Sequence, residues 1–161
     1  AAGVITDELK DFTGTLQSDG YAPYRTLQGS EYPDIQRIAC LQHVKRKFID
    51  CGDDPKAGEM VQLVNGIYVE DHKHKVGKDG WTVEDNLRHR QEYSPKILKE
   101  IWNHLQDIRR DPGLPPKCEL AAAAEYMENE WEAIKAIFNR GDTALDNNLV
   151  DSSVATSTFS I

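Results

Sequence analysis

Residues 95–110 read PKILKEIWNHLQDIRR. Ile97, Ile101, Leu105 and Ile108 recur every three or four positions, and Leu98 and Trp102 widen the stripe. That spacing puts the apolar side chains on one face of a helix, with Lys, Asp and Arg left for solvent. Ser94-Pro95 reads as a fresh start, with Ser as N-cap and Pro at the first helical position; a kink in a longer helix is the other reading. Asp111-Pro112-Gly113 is the stop.

The pattern extends in both directions. Downstream, Leu120, Ala124, Met127, Trp131, Ile134 and Phe138 mark one long helix from about Pro116 to Asn139, with Gly141 placed to terminate it. Trp102 and Trp131 belong to these core stripes rather than to a base-stacking platform. Upstream, Met60, Val64, Ile67 and Tyr68 make another stripe, which runs into a polar segment with His72 and His74 and a break at Gly77 to Trp81. Thr82 with Asp85 three residues on has the form of a capping box. Leu41 to Ile49 is a shorter helix: Leu41, Val44 and Phe48 share a face, while Lys45, Arg46 and Lys47 lie off it.

Before residue 41 the period changes. Thr15 to Ser18 and Ile35 to Cys40 have the character of short strands, with Asp19-Gly20 as a turn, and Ile35 to Cys40 could equally start the helix that follows. Thr6 to Phe12 and Tyr21 to Leu27 read as short helices, and Gly29 to Pro33 as a loop. Asp151 to Ile161, rich in Ser and Thr and without a period, reads as a poorly ordered tail. With two strands only, the edge at Thr15 to Ser18 is expected to be unpaired and prone to association.

The bulk properties fit this. With 161 residues, 39% hydrophobic and 29% charged, the chain is that of a globular protein large enough for one core, and not that of a disordered one. Its three cysteines form no pairing pattern and suggest reduced thiols. No run approaches the ~18 apolar residues of a membrane span, so a cytoplasmic protein is expected. The formal net charge of −8 opposes phosphate binding over the surface as a whole. The local cluster of Arg37, Lys45, Arg46 and Lys47 is the exception, and is the candidate DNA-contacting group, with a solvated helix face as its plain alternative.

Four blocks in order carry a resemblance. Leu16-Gln17-Ser18-Asp19-Gly20-Tyr21 is followed by Cys40-x-x-His43 with Lys45 to Phe48, then by the long stretch Pro115 to Phe138, and last by Asp146-Asn147-Asn148 after an Arg140-Gly141-Asp142 turn. Together they resemble the insertion-sequence-66 transposase family, an Asp-Asp-Glu family, over about residues 15–151. The resemblance implies a mainly α (α+β) chain: a remnant of an RNase-H-like domain with two short strands followed by a large helical insertion. It divides the chain into a partial RNase-H-like portion at 1–50, with the second catalytic block and basic helix, the insertion at 51–141, and the final block and tail at 142–161.

The chemistry implied is cleavage and strand transfer of DNA, in which three carboxylates hold two Mg²⁺ (or Mn²⁺) ions roughly 3.5–4 Å apart. Asp19 matches the second catalytic and metal-binding carboxylate. Asp151 stands where the family has Glu, one methylene shorter, and Ser152 where it has Arg. Asp146, Asn147, Asn148, Cys40 and His43 are expected to be structural near the site, the first three also as an N-cap cluster for a final short helix. No counterpart of the first catalytic Asp precedes Asp19, so the expectation is a fragment of a catalytic core, inactive alone, whose DNA partner and metal belong to the complete enzyme. Two other readings stand beside it: a helical interaction or homo-oligomerisation module over residues 58–140, and a zinc-dependent domain using Cys40, His43, His72, His74 and Cys118.

Overall fold

The computed structural model describes residues 14–18, 35–146 and 158–160. The expected helices at 6–12 and 21–27 and the loop at 29–33 lie outside them. The chain runs β1 (Gly14–Ser18), β2 (Ile35–Ala39), α1 (Leu41–Ile49), α2 (Pro55–Asp71), α3 (Val83–Arg110), α4 (Glu119–Asn129), α5 (Trp131–Ile137) and β3 (Thr158–Ser160). It is therefore mainly helical, with both anticipated strands in place.

The sheet has the order β2-β1-β3, with β1 parallel to both neighbours. Gln17 faces Ile38 on one side and Ser160 on the other. Two expectations change here. Residues 158–160, read as part of a tail, form a strand, and β1, read as an open edge, is the central strand. Pairing on both sides satisfies the amides and carbonyls that an edge would leave exposed.

α2 starts on an Asp54 cap, whose carboxylate accepts from Lys56 and Ala57 N–H, with Pro55 at the first position. The Thr82–Asp85 capping box forms as read and opens α3. This helix runs unbroken through Pro95 for 28 residues, so no fresh start occurs at Ser94. Proline inside a helix removes one ladder bond and costs about 3 kcal/mol. Buried groups on both sides of it, Asn86 and Arg90 before and Ile101, Leu105 and Ile108 after, offset that cost.

The expected helix from 116 to 139 is two, α4 and α5, meeting at Glu130 (φ −90°, ψ 0°). The Glu130 side chain is buried and taken by Arg37 of β2, both carboxylate oxygens lying 2.9–3.0 Å from one guanidinium nitrogen. Gly141 does not end a helix in the left-handed region. A Cβ there would lie 2.1 Å from the Val83 carbonyl and 2.8 Å from the Leu87 nitrogen, so glycine is needed for backbone to meet backbone.

One hydrophobic cluster joins the sheet to the helices. Ile38 of β2 and Phe48 of α1 belong to it with Ile67 of α2, Leu105 of α3, Met127 of α4 and Ile137 of α5. α5 packs on β2, and α1 is wedged against α2 and α4. The strands therefore rest on the helical part rather than standing apart from it.

Candidate carboxylate site at the strand ends

β1 and β2 are parallel and end together at Ser18 and Ala39, so whatever follows them leaves from the same end of the sheet. In open parallel sheets, ligands bind outside these carboxyl ends. A third segment, 144–146, is brought to the same place by three bonds. Gln17 of β1 is fully buried and donates from Nε2 to the Ala39 carbonyl (3.2 Å) and to the Ala144 carbonyl (2.8 Å). Leu41 N–H donates to the Leu145 carbonyl at 2.8 Å. Gln42 N–H donates to Asp146 Oδ1 at 3.1 Å.

The last two bonds are a helix cap supplied from across the chain. Cys40, at the N-cap of α1, makes no side-chain cap bond, so the first turn carries orphan N–H groups. Residues 145 and 146 satisfy two of them, and the Asp146 carboxylate sits at the positive end of the helix dipole. Tyr68 of α2 donates its hydroxyl to the same Asp146 oxygen. Burial first, then that bond, push the Tyr68 phenol well above its ordinary range, so it stays a donor.

The chain entering this segment is clamped by α3. Arg90, 1% exposed, grips Asp71 of α2 with Nε at 2.8 Å and Nη2 at 3.1 Å. Its remaining donors reach the carbonyls of Ile137 (3.3 Å), Arg140 (2.9 Å) and Thr143 (2.7 Å) and the Thr143 hydroxyl (2.9 Å). Asn86 donates to the Gly141 carbonyl at 2.9 Å. Arg140 and Asp142 pair at 2.7–2.8 Å. That bond is the main reason Asp142 is held below, and Arg140 raised above, its ordinary value.

Residues 1–159 match the family model described as Transposase IS66 family. The chain belongs to this family. It is 30% identical over 154 residues to "Uncharacterized protein y4jD" of Sinorhizobium fredii (strain NBRC 101917 / NGR234), covering 91% of this chain and 29% of that protein. It is 27% identical over 170 residues to "Uncharacterized protein y4qI" of the same organism, covering 98% of this chain and 30% of that one. The chain thus spans less than a third of the length of these curated relatives. No solved structure matches it.

For this IS66-family chain, the expected site residues fall out as follows. Asp19, Asp151, Asn147 and Asn148 lie outside the described residues. Asp146 caps α1 from across the chain, whereas the final helix it is expected to start lies outside the described residues. Cys40 is buried while His43, three residues on, is exposed on α1. Of the basic cluster, Arg37 is buried and bound to Glu130, away from solvent. Arg46 and Lys47 are exposed, and Lys45 is half-buried with its ammonium 4.5 Å from the Tyr68 ring centre and 3.3 Å from Asn65 Oδ1. Lys47 lies over the Tyr126 ring at 5.1 Å. Among the described residues no group of three or more His, Cys, Asp or Glu side chains gathers to hold a metal, so the five-residue zinc set is not brought together. Nor is any described helix long and apolar enough to cross a membrane.

Sequence reasoning missed Gln17, Tyr68, Asp71, Asn86, Arg90 and Thr143. Gln17 and Tyr68 sat inside segments read as strand and stripe. An arginine on an otherwise polar helix face gives no sign of burial until its acceptors, here up to 53 residues away, are placed around it.

Proposed function

We propose that this chain carries two metal-binding carboxylates, Asp19 and Asp151, of a DNA transposase core that cleaves phosphodiesters and transfers strands on DNA in the cytoplasm. The observation that carries this reading is the Gln17–Ala144 bond, which ties the segment before Asp19 to the segment before Asp151. Asp19 is two residues beyond Gln17, and Asp151 five beyond Asp146. At roughly 3.5 Å per residue, those spans reach at most about 7 Å and 17 Å. Both carboxylates can therefore meet over the strand ends without moving either anchor.

The oxygen donors present suit a hard divalent cation such as Mg²⁺ or Mn²⁺. Gln17 Oε1, buried and without a hydrogen-bond partner among the described residues, adds a carbonyl-type acceptor at the same end of β1. Asp146 is spent on Gln42 and Tyr68, and its work is to aim the chain that follows. When bound, such ions polarise the phosphodiester and stabilise the attacking and leaving oxygens. Asp19 and Asp151 would supply the negative charge to hold them. The sheet is read as part of an RNase-H-like fold and residues 51–141 as its helical insertion. Two carboxylates alone hold Mg²⁺ weakly, since it keeps several waters and leans on substrate phosphates. This chain by itself is therefore expected to leave DNA uncut.

Paramagnetic broadening tests the reading. Millimolar Mn²⁺ added to ¹⁵N-labelled protein should broaden amides near residues 17–19, 40–42 and 144–151 together, and Asp19→Asn should remove the effect at all three. Broadening confined to one segment would show that the carboxylates do not share a cation.

A further inference from the structure

The eleven residues that join α2 to α3, 72–82, carry three lysines and one acid and so oppose the charge of the rest of the chain. His72, Lys73, His74, Lys75 and Lys78 are all exposed there, within a protein of net charge −8. Of the four acids that flank the loop three are already engaged, and the fourth, Glu84, is exposed in the first turn of α3. Glu70 binds Lys73 at 2.8–2.9 Å, Asp71 is held by Arg90 and Tyr93, and Asp85 by the Thr82 cap and Arg88. Asp79 is the remaining acid of the loop, at a left-handed φ of 53°.

The loop has a defined shape. Gly77, Asp79 and Gly80 take positive φ, and bonds from Gly77 N–H to the Trp81 carbonyl (2.9 Å) and from Trp81 N–H to the Lys78 carbonyl (3.0 Å) close the turn. The imidazole of His74 lies flat on the Trp81 indole, with centroids 3.8 Å apart and planes within 8°. Trp81 is backed by His89 and donates to Asn86 Oδ1 at 3.2 Å, and Asn86 in turn holds Gly141. An exposed imidazole stacked on a supported indole, in a loop that carries three lysines, is a combination that suits single-stranded nucleic acid: stacking for the base and ammonium groups for the phosphates.

Its position links it to the candidate site. His72 lies one helical turn beyond Tyr68 and meets that ring edge-on at 5.8 Å. Tyr68 carries Lys45 over its face and Asp146 on its hydroxyl. Lys45, His72, Lys73 and His74 thus lie along one path from Tyr68, which holds Asp146, to the tip, with the two lysines as its cations.

We propose that the α2–α3 tip is a DNA-contacting element, with Lys73, Lys75 and Lys78 against phosphates and the His74–Trp81 pair beneath an unpaired base next to the cleavage point. This rests on the transposase reading above but is tested by binding rather than by metal. The wild-type chain is titrated into a fluorescein-labelled duplex and into the same duplex with a single-stranded overhang, followed by anisotropy at several salt concentrations. The triple change Lys73→Gln, Lys75→Gln, Lys78→Gln should weaken both DNAs by about tenfold or more at low salt, and make the slope of log K against log salt shallower by about two to three. His74→Ala should cost about fivefold or more on the overhang substrate alone.

Unchanged affinity and slope in the triple variant, with Arg46→Gln and Lys47→Gln weakening binding instead, would overturn the tip while leaving the transposase reading intact. Equal losses on both DNAs in His74→Ala would overturn the stacking assignment. A wild-type chain that ignores both DNAs but binds polyglutamate would overturn the proposal in favour of an acidic protein partner, and the Mn²⁺ experiment would then judge the transposase reading separately.

Discussion

Replacing Arg90 by Ala removes a guanidinium that is 1% exposed and makes six contacts shorter than 3.4 Å, two to Asp71 and four to the 137–143 segment. The Asp71 carboxylate, itself only 11% exposed, keeps a single strong donor, the Tyr93 hydroxyl at 2.9 Å. Taking one partner out of a buried pair costs about 3–5 kcal/mol, because the other charge stays behind without compensation. Against a total of about 5–15 kcal/mol for a domain, this is a large fraction. It should lower the melting temperature by roughly 6–20 °C at this chain length. Urea unfolding followed by far-UV dichroism gives the free energy. Hydrogen exchange gives the location: the Leu41 and Gln42 amides, whose acceptors are Leu145 and Asp146, should open more readily than the rest of α1. A loss under about 1 kcal/mol would mean that the network is not what holds the segment, and the account of the clamp would fail.

Three further perturbations follow from the same geometry. Gly141→Ala places a methyl 2.1 Å from the Val83 carbonyl, so α3 or the 140–143 turn must shift, at a cost of about 1–3 kcal/mol or more by urea unfolding; a neutral result would mean the backbones are not in contact. Arg37→Ala should cost about 3–5 kcal/mol by leaving Glu130 buried and alone, and Arg37→Ala with Glu130→Leu should recover much of it in a double-mutant cycle. Asp142 has a folded value depressed below its ordinary 3.8, so its stabilisation is complete above that pH and fades as the pH falls through the lowered value. Asp142→Asn should therefore flatten the acid limb of the stability–pH curve, and an unchanged limb would contradict the Arg140 pairing.

Much of the fold was legible because its causes are local. The spacing of Leu41, Val44 and Phe48 is enough to place α1, and a Thr followed by Asp at the right distance is enough to start α3. Where the reading failed, the deciding partner lay elsewhere in the chain. Pro95 looked like a start because its own ring forbids a ladder bond, but burial over 28 residues outweighed it. Nothing near Glu130 announces a break in the helix; its partner Arg37 is 93 residues away on a strand. Arg37 in turn looked like a surface cation because it stands near other basic residues in sequence, whereas a strand that packs under α5 turns it inward. The third strand was invisible because three residues of parallel pairing leave no period to find. For the candidate site, the blocks around Asp19 and Asp146 could be seen, but not that Gln17 and residues 144–146 are what join them.

These joins also give the helical part a role beyond filling space. Residues 51–110 are connected to the 137–146 segment through three side chains. Asn86 holds the Gly141 carbonyl, Arg90 holds Thr143 at both backbone and hydroxyl, and Tyr68 holds the Asp146 carboxylate. They fall on successive stretches of the exiting chain, so they fix its direction and not merely its position. Asp146 then passes that constraint to the start of α1, which is covalently continuous with β2. The α2–α3 tip is joined through Trp81 and Asn86 to Gly141, and α2 through Tyr68 to Asp146, by direct hydrogen bonds. Under the proposed transposase reading, DNA held at the tip and the segment that leads on from Asp146 are then linked through the same contacts, and substrate binding and assembly of the proposed metal site would be one event rather than two.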